Sequence, residues 1–138
     1  MLVRDAMRPP PRPVPPDASI QRAAREMRLL DLEFLPVVGA AGSVLGAVTD
    51  RDIAFRAVAN GYNPVHTTVR DVMTSAVVTC LEEQDVADVL SAMRARRAGH
   101  ALVLRADGEI AGVLCAGDLA VHAAAGAAPE TLGHRTGV

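Results

Sequence analysis

The hydrophobic positions of this chain show the same sequence of spacings in each half: helical spacing first, then short apolar runs. Apolar residues first follow the spacing of a helix, at Ile20, Ala23, Ala24, Met27 and Leu30 and again at Val86, Val89, Leu90 and Met93. Either Asp17 or Ser19 can cap the first of these helices. Two short apolar runs with a glycine-containing turn between them follow each helix, at 34–38 and 44–48 and at 101–104 and 110–114, and each pair predicts a β-hairpin.

One further element precedes this pattern in each half, and another follows it. Extended segments at about 12–15 and 76–80 predict a leading strand. After the hairpins, we expect helices from Thr49 to about Ala59 and from Cys115 to about Ala125, each followed by a glycine that can end it. The predicted unit is therefore β-α-β-β-α, and the fold class is α/β (α+β).

The two halves are a duplication. The segment VRDAM at 3–7 returns as VRDVM at 69–73, 66 residues later, and the same offset places Met27 on Met93, Gly46 on Gly112 and Asp52 on Asp118. A constant offset over this length predicts one supersecondary unit used twice, arranged as a pseudo-twofold pair. We assign the repeats to residues 2–62 and 63–126, with a flexible tail at 127–138.

The leading segment of the first repeat is rich in proline. Residues 9–16 read PPPRPVPP and contain six of the nine prolines. Proline cannot donate to a strand ladder and favours an edge strand or polyproline II geometry. The repeat favours a stiffened edge strand here, with a proline-rich docking motif as the alternative.

Composition and charge argue against several classes of protein. Half of the 138 residues are hydrophobic and only 2% are aromatic, and the net charge is −2. A chain without a positive field or stacking aromatics is poorly suited to nucleic acid. No apolar run is long enough for a secretion signal or a membrane span, so we expect a cytoplasmic protein without membrane contact.

Catalytic and metal-binding patterns are not apparent in the sequence. Cys80 and Cys115 lack the CxxC spacing of zinc and redox sites, and the four histidines lack ligand spacing. No nucleophile stands in register with a base, and no phosphate-binding glycine loop follows a strand. We therefore expect neither an enzyme nor a metal site.

The duplication, the unit order, the VRDxM lead-in and the hairpin followed by GAVTDRDI together resemble the cystathionine β-synthase (CBS) domain pair, or Bateman module, over about residues 2–125. The chain is especially similar to the small bacterial proteins that consist of little besides such a pair. The resemblance implies two clefts between the paired units. In many members these clefts take a regulatory adenosine ligand such as AMP, ADP, ATP or S-adenosylmethionine, and no cofactor is required.

The ligand signature of that family is Gly, two residues, Ser or Thr, two residues, Asp. The first repeat carries it intact as Gly46, Thr49 and Asp52, whereas the second has Gly112 and Asp118 but Cys115 in place of the hydroxyl residue. The resemblance also implies walls for the adenine, namely Val14, Phe34, Leu35 and Pro36 in one cleft and Thr79, His100 and Ala101 in the other.

The signature residues also suit nucleotide chemistry on physical grounds. A carboxylate such as Asp52 or Asp118 can accept two hydrogen bonds from vicinal ribose hydroxyls. Thr49 at a helix start presents a hydroxyl and backbone N–H groups, and Arg51 can donate charge-assisted hydrogen bonds to a phosphate. The alternative is structural: Thr49 and Asp52 also fit a capping box, and His100 also fits a solvent-exposed strand edge.

Two functional hypotheses follow. In the first, the chain is an adenine-nucleotide-binding regulatory module that changes conformation or oligomeric state with its ligand. In the second, it is a ligand-free interaction module, in which alanine-rich helices pack in a homodimer or against a regulated partner protein (Ala54, Ala57 and Ala59; Ala120, Ala123 and Ala124). Both hypotheses predict a homodimer.

Overall fold

The computed structural model describes residues 1–123. Its elements in chain order are α1 (Val3–Ala6), α2 (Ile20–Leu30), β1 (Phe34–Val38), β2 (Val44–Thr49), α3 (Asp50–Asp52, continuing as a π-helical turn over Ile53–Val58), α4 (Val69–Val72), β3 (Val78–Leu81), α5 (Val86–Ala95), β4 (His100–Leu104), β5 (Ile110–Cys115) and α6 (Ala116–Ala123). The predicted tail at 127–138, the predicted helix end near Ala125 and the side chains of Ala120, Ala123 and Ala124 lie outside the described part of the chain.

The chain forms two compact units, and neither coincides with one sequence repeat. The first unit comprises Met1–Pro10 and the chain from Val77 onward, and the second comprises Pro11–Ala76. The lead-in helix α1 therefore belongs with the hairpin of the second repeat, and α4 belongs with the hairpin of the first. The boundaries 2–62 and 63–126 stay a prediction about the repeated sequence, because each repeat contributes its lead-in helix to the other compact unit.

The second unit is built around the antiparallel hairpin of β1 and β2. Phe34 pairs with Thr49 and Val37 pairs with Gly46, so the predicted hairpin is confirmed. Its core consists of aliphatic side chains (Val14, Ala18, Ile20, Ala23, Met27, Leu35, Val37, Val48, Ala57, Val69, Val72). Ser19, one of the two predicted caps, accepts a hydrogen bond from Arg22 N at 3.1 Å. Of the five predicted apolar positions of α2, Ala24 and Leu30 are exposed.

The first unit contains a three-stranded sheet in the order β3-β4-β5. Strand β3 runs parallel to β4, and β4 runs antiparallel to β5. Helix α5 is capped by Asp85, which accepts from Ala87 N at 2.8 Å. The core again consists mostly of small and medium apolar side chains (Val3, Ala6, Val78, Cys80, Val89, Met93, Ala101, Val103, Ala111, Leu114, Leu119). Together the units form the mixed α/β fold that the periodicity predicts.

The leading strand predicted at 12–15 is wrong. Only Val14 pairs with the sheet, in an isolated parallel bridge to Val37, whereas the predicted strand at 76–80 forms as β3. Val14 N donates to Pro36 O at 2.9 Å, and Val38 N donates to Val14 O at 3.1 Å. The next ladder positions are Arg12 and Pro16. Pro16 has no N–H to donate to β1, and Pro36 of β1 has none to donate to Arg12, so prolines weaken the ladder on both sides of Val14.

The predicted helix from Thr49 to about Ala59 forms, but its hydrogen bonding changes along its length. After a short α-helical start, a π-helical turn covers Ile53–Val58, and Ala59 N donates to Ala54 O at 2.9 Å. Gly61, with φ of 75°, ends the segment as predicted. No helix within the described residues is long and apolar enough to cross a membrane.

Candidate functional site

Thr49 and Asp52 form a capping box at the start of α3. Asp52 N donates to Thr49 Oγ1 at 2.9 Å, and Thr49 N donates to Asp52 Oδ2 at 3.1 Å. The structural alternative considered for these residues is therefore present in the molecule. Asp52 is 8% exposed, and its carboxylate is fixed at the end of β2 by the box.

The lead-in segment reaches this site through a backbone bridge. Thr74, directly after α4, exchanges two backbone hydrogen bonds with Ala47, at 2.9 and 3.0 Å. The approach requires a glycine at position 46, since a Cβ there would lie 2.2 Å from Thr74 O. Gly46 thus allows the chain after α4 to lie against β2.

The same bridge places the Thr74 hydroxyl on the Asp52 carboxylate. Thr74 Oγ1 lies 3.2 Å from Asp52 Oδ1 and 3.3 Å from Oδ2. Arg56 is farther away, with Nε 3.8 Å from Asp52 Oδ1, and its guanidinium donates to the carbonyl oxygens of Val72 and Met73. The hydrogen bonds that Asp52 accepts therefore come from neutral donors.

Arg51, the predicted phosphate donor, is exposed next to Asp52. Its guanidinium stacks over the Phe55 ring, with the guanidinium carbon 4.7 Å from the ring centroid. Phe55 is itself 61% exposed. The stacking holds the cation at the surface one residue from the capping box.

The predicted adenine wall lies beside Thr49 and is buried. Phe34 pairs with Thr49 across the hairpin, and Val14 bonds to Pro36 O. Val14 and Leu35 are members of the hydrophobic core of the unit, and Phe34 is 2% exposed. Strand pairing therefore sets Phe34 directly opposite Thr49, whereas Val14 lies opposite Val37, farther along the hairpin. At least two of the four wall residues belong to the core.

The site around Asp118 in the first unit has the same backbone bridge and close-approach glycine as the Asp52 site, but the aspartate has a different side-chain partner. Arg8 exchanges two backbone hydrogen bonds with Val113, at 2.9 and 3.1 Å, and a Cβ on Gly112 would lie 2.5 Å from Arg8 O. The Arg8 guanidinium donates to both oxygens of Asp118, with Nε 2.6 Å from Oδ2 and Nη2 2.9 Å from Oδ1. The Arg8 guanidinium therefore binds both oxygens of Asp118, the counterpart of the Asp52 carboxylate that Thr74 contacts in the other unit.

The predicted wall of this second site is only partly brought together. His100 pairs with Cys115 and Ala101 pairs with Val78, but Thr79 is exposed. Cys80 stands opposite Val103 as Val14 stands opposite Val37, so the positional counterpart of Val14 is Cys80, one residue beyond the predicted Thr79. Ala101 belongs to the core of the unit.

Two residues of these sites, Arg8 and Thr74, are not predicted by the sequence motifs. Both follow the VRDxM segment directly, and their numbers differ by the same 66 residues that relate Asp118 to Asp52. That shared register was the available signal. The register alone does not predict that each lead-in segment packs in the unit of the other repeat. That exchange places Arg8 beside Asp118 and Thr74 beside Asp52.

Two other features of the described chain lie outside these sites. An open cleft of about 480 Å³ runs between Pro15–Asp17 and the turn of the β1–β2 hairpin, and none of the predicted ligand residues lines it. Among the described residues, no group of three or more His, Cys, Asp or Glu side chains is placed to hold a metal ion.

The fold and the paired signature positions define a module of two repeated units, and comparison with known proteins gives its family. The model of the CBS domain matches residues 3–58 and again residues 69–124. The chain therefore belongs to the CBS domain family and contains two tandem copies that cover most of its length, in a family whose members are usually non-catalytic.

Several curated proteins are similar in sequence, and two of them illustrate the range of coverage. The CBS domain-containing protein YhcV of Bacillus subtilis is 31% identical over 137 residues, which cover 96% of each chain. An uncharacterized 17.7 kDa protein of Acidianus ambivalens is 31% identical over 107 residues, 78% of this chain. The match spans 63% of the Acidianus protein, less than two-thirds of its length.

Two solved structures with similar folds contain adenosine ligands. The CBS domain protein PAE2072 of Pyrobaculum aerophilum, complexed with AMP, is 25% identical with a TM-score of 0.79, and the match covers 86% of this chain and 90% of that one. The CBS domain pair of the protein MJ0100, in complex with 5′-methylthioadenosine and S-adenosylmethionine, is 25% identical with a TM-score of 0.78, covering 91% and 98%.

Proposed function

We propose that this chain is a regulatory module that binds an adenine nucleotide at Thr49, Arg51 and Asp52. The observation that carries the proposal is the Asp52 carboxylate, which stands in an intact Gly-Thr-Asp signature and accepts its hydrogen bonds from neutral donors. AMP is the first ligand to test, because a similar fold is complexed with AMP and another with S-adenosylmethionine.

The chemistry of the site supports a ribose and a phosphate. An ionised carboxylate has about four lone-pair positions, so the two donor groups at Asp52 leave acceptor capacity for ribose hydroxyls. Arg51 is exposed one residue away and provides a cation for the 5′-phosphate. The same carboxylate thus caps α3 and receives the diol.

Regulation requires that the ligand distinguish two states of the protein. A nucleotide shifts an equilibrium only by its difference in affinity for the two forms. We propose that binding at the start of α3 changes the conformation of that helix or the association of copies of this chain.

The experiment is isothermal titration with AMP of the wild type, Asp52→Asn and Asp71→Asn. Asp71 forms a second capping box, in which its Oδ2 accepts from Thr68 N at 3.1 Å, so its variant removes the same kind of contact at a different helix. We expect Asp52→Asn to weaken AMP binding by about a hundredfold and Asp71→Asn to leave it within about twofold.

Equal loss in both variants would show that the effect is destabilisation of the fold. Absence of AMP binding by the folded wild type at millimolar concentration would contradict the proposal. ADP, ATP and S-adenosylmethionine titrated in parallel would identify the preferred ligand.

A ligand-free interaction module is the second candidate, and the surface of the π-helical turn after α3 favours it. Phe55 and Val58 are 61% and 69% exposed, next to the exposed Ala54 and Ala59. Ala57, in contrast, is buried within its own unit. Such an apolar helix face suits a homodimer or a regulated partner protein.

Nucleotide titration combined with light scattering, which reports the oligomeric state, distinguishes the two candidate functions. Val58→Asp should convert a dimer to a monomer in either case. Nucleotide-dependent assembly supports the regulatory module, and a dimer that is indifferent to every nucleotide supports the interaction module.

A further inference from the structure

The two carboxylates of the repeated signature are not equivalent, because their partners from the lead-in segments differ in charge. Thr74 places a neutral hydroxyl on Asp52, and Arg8 places a guanidinium on Asp118. Both partners are held by the same pair of backbone hydrogen bonds beside a close-approach glycine. We infer that Arg8 closes the Asp118 site to nucleotides, so that the chain binds a single nucleotide, in the unit of Pro11–Ala76.

The geometry of the ion pair opposes a ribose. A vicinal diol would donate two parallel hydrogen bonds to the two oxygens of a carboxylate, and the Arg8 fork already makes that arrangement at 2.6 and 2.9 Å. Hydrogen bonds from a charged donor are roughly twice as strong as neutral ones. The hydroxyls of a ribose would therefore have to displace a stronger donor from the same two atoms.

The anchoring of Arg8 strengthens this competition. Exposed ion pairs are often weak, and the side chains of Arg8 and Asp118 are 44% and 33% exposed. The backbone bridge to Val113, however, fixes the Cα of Arg8 next to β5, so less freedom is lost when its side chain reaches Asp118. A fork with both hydrogen bonds formed and its backbone anchored competes better than a flexible surface pair.

The other signature positions near Asp118 also disfavour nucleotide binding there. Cys115 replaces the hydroxyl of Thr49, and Gly117 replaces the cation of Arg51. A thiol is a weak hydrogen-bond partner, and glycine provides no donor for a phosphate beyond its backbone. The Asp118 site therefore lacks the groups that would offset the loss of the Arg8 pair.

Exchanging the two lead-in residues tests the inference, with AMP as the probe. Arg8→Thr combined with Cys115→Thr and Gly117→Arg gives the first unit the residues of the second at these three positions, and a Cβ on Gly117 would meet nothing within 4 Å. We expect AMP to shift the amide NMR signals of residues 112–118 in this triple variant, which it leaves unshifted in the wild type. Thr74→Arg should weaken AMP binding at Asp52 by about tenfold or more. Thr74→Val removes the hydroxyl without adding charge and should change the affinity by less than about threefold.

This inference rests on the proposed function in treating both aspartates as ribose acceptors, and the readouts separate the two. Wild-type binding that is insensitive to Asp52→Asn contradicts the proposed function alone. Wild-type shifts at residues 112–118 would show that the Asp118 site binds AMP and overturn the inference. If those shifts then weaken in Arg8→Thr, Arg8 is a ligand group of that site. Absence of shifts at 112–118 in the folded triple variant also overturns it. Unfolding midpoints of every variant confirm that the fold is retained.

Discussion

Asp52 and Asp118 occupy the same position of a duplicated sequence, yet their surroundings have diverged. Around Asp52, Thr49 and Thr74 provide neutral donors, and the side chain is 10% exposed. Around Asp118, Arg8 provides a charged fork and the side chain is 33% exposed. Both places keep the close-approach glycine and the backbone bridge. The duplicated units therefore share this backbone arrangement, whereas the side chains around the aspartate differ in charge and exposure.

The largest effect in this comparison is expected at Leu35, a fully buried core residue whose counterpart is Ala101. Leu35→Ala would make the two units alike at this position but leave a cavity, at a cost of about 2–5 kcal/mol of unfolding free energy. Urea denaturation measures it. A loss below about 1 kcal/mol would show that the core of the second unit can collapse around the missing side chain.

The close-approach glycines should come next, with similar effects in the two units. Gly46→Ala and Gly112→Ala place a Cβ 2.2 Å from Thr74 O and 2.5 Å from Arg8 O, so each should cost about 1–3 kcal/mol through forced backbone movement. Gly99→Ala is the control, because a Cβ there meets nothing within 4 Å. Similar unfolding midpoints for all three variants would contradict the role assigned to the bridges.

A smaller effect is expected from copying the second signature into the first. Thr49→Cys replaces the capping hydroxyl with a weak acceptor and should cost about 1 kcal/mol. Thermal unfolding gives the stability and AMP titration gives the binding. If AMP binds Thr49→Cys as tightly as it binds the wild type, the cysteine in the second signature is not one of the reasons for its different behaviour.

The smallest effect at neutral pH concerns Cys80, the counterpart of Val14. Burial raises the pKa of the Cys80 thiol from 9.0 to about 11, because the thiolate is desolvated. The unfolded chain then loses this proton at lower pH than the folded one. The stabilisation is full below pH 9 and declines as the pH rises from about 9 to 11.

Cys80→Val gives the first unit the residue of the second at this position and removes the ionisable group. Urea denaturation of wild type and variant at pH 7 and pH 10.5 tests the expectation: the wild type should lose more stability than the variant on raising the pH. Parallel losses in both proteins would assign the alkaline effect to other groups.

Much of the fold follows from the sequence because it depends on local patterns. The spacing of Ile20, Ala23 and Met27 predicts α2, and two apolar runs with a glycine turn predict each hairpin. The strand expected around Val14 fails because neighbouring prolines limit it to one bridge. The hydrophobic periodicity of a segment does not show whether its backbone N–H groups can pair with a strand that is distant in the sequence.

The residues of the candidate sites also fall into two groups, those that local sequence predicts and those that it does not. Thr49, Arg51 and Asp52 are predicted because they are adjacent in the sequence and form the start of one helix. Arg8 and Thr74 are not predicted, because they reach their aspartates only after lead-in segments exchange between repeats. The Arg8–Asp118 pair joins residues 110 positions apart, a separation that no local motif describes.

The most direct test of the asymmetry between the two units is an AMP titration of the isotopically labelled wild type followed by amide NMR shifts. We expect saturable shifts at residues 46–52 and at Thr74, with none at residues 112–118. Equal shifts in both segments, or shifts confined to 112–118, would contradict it.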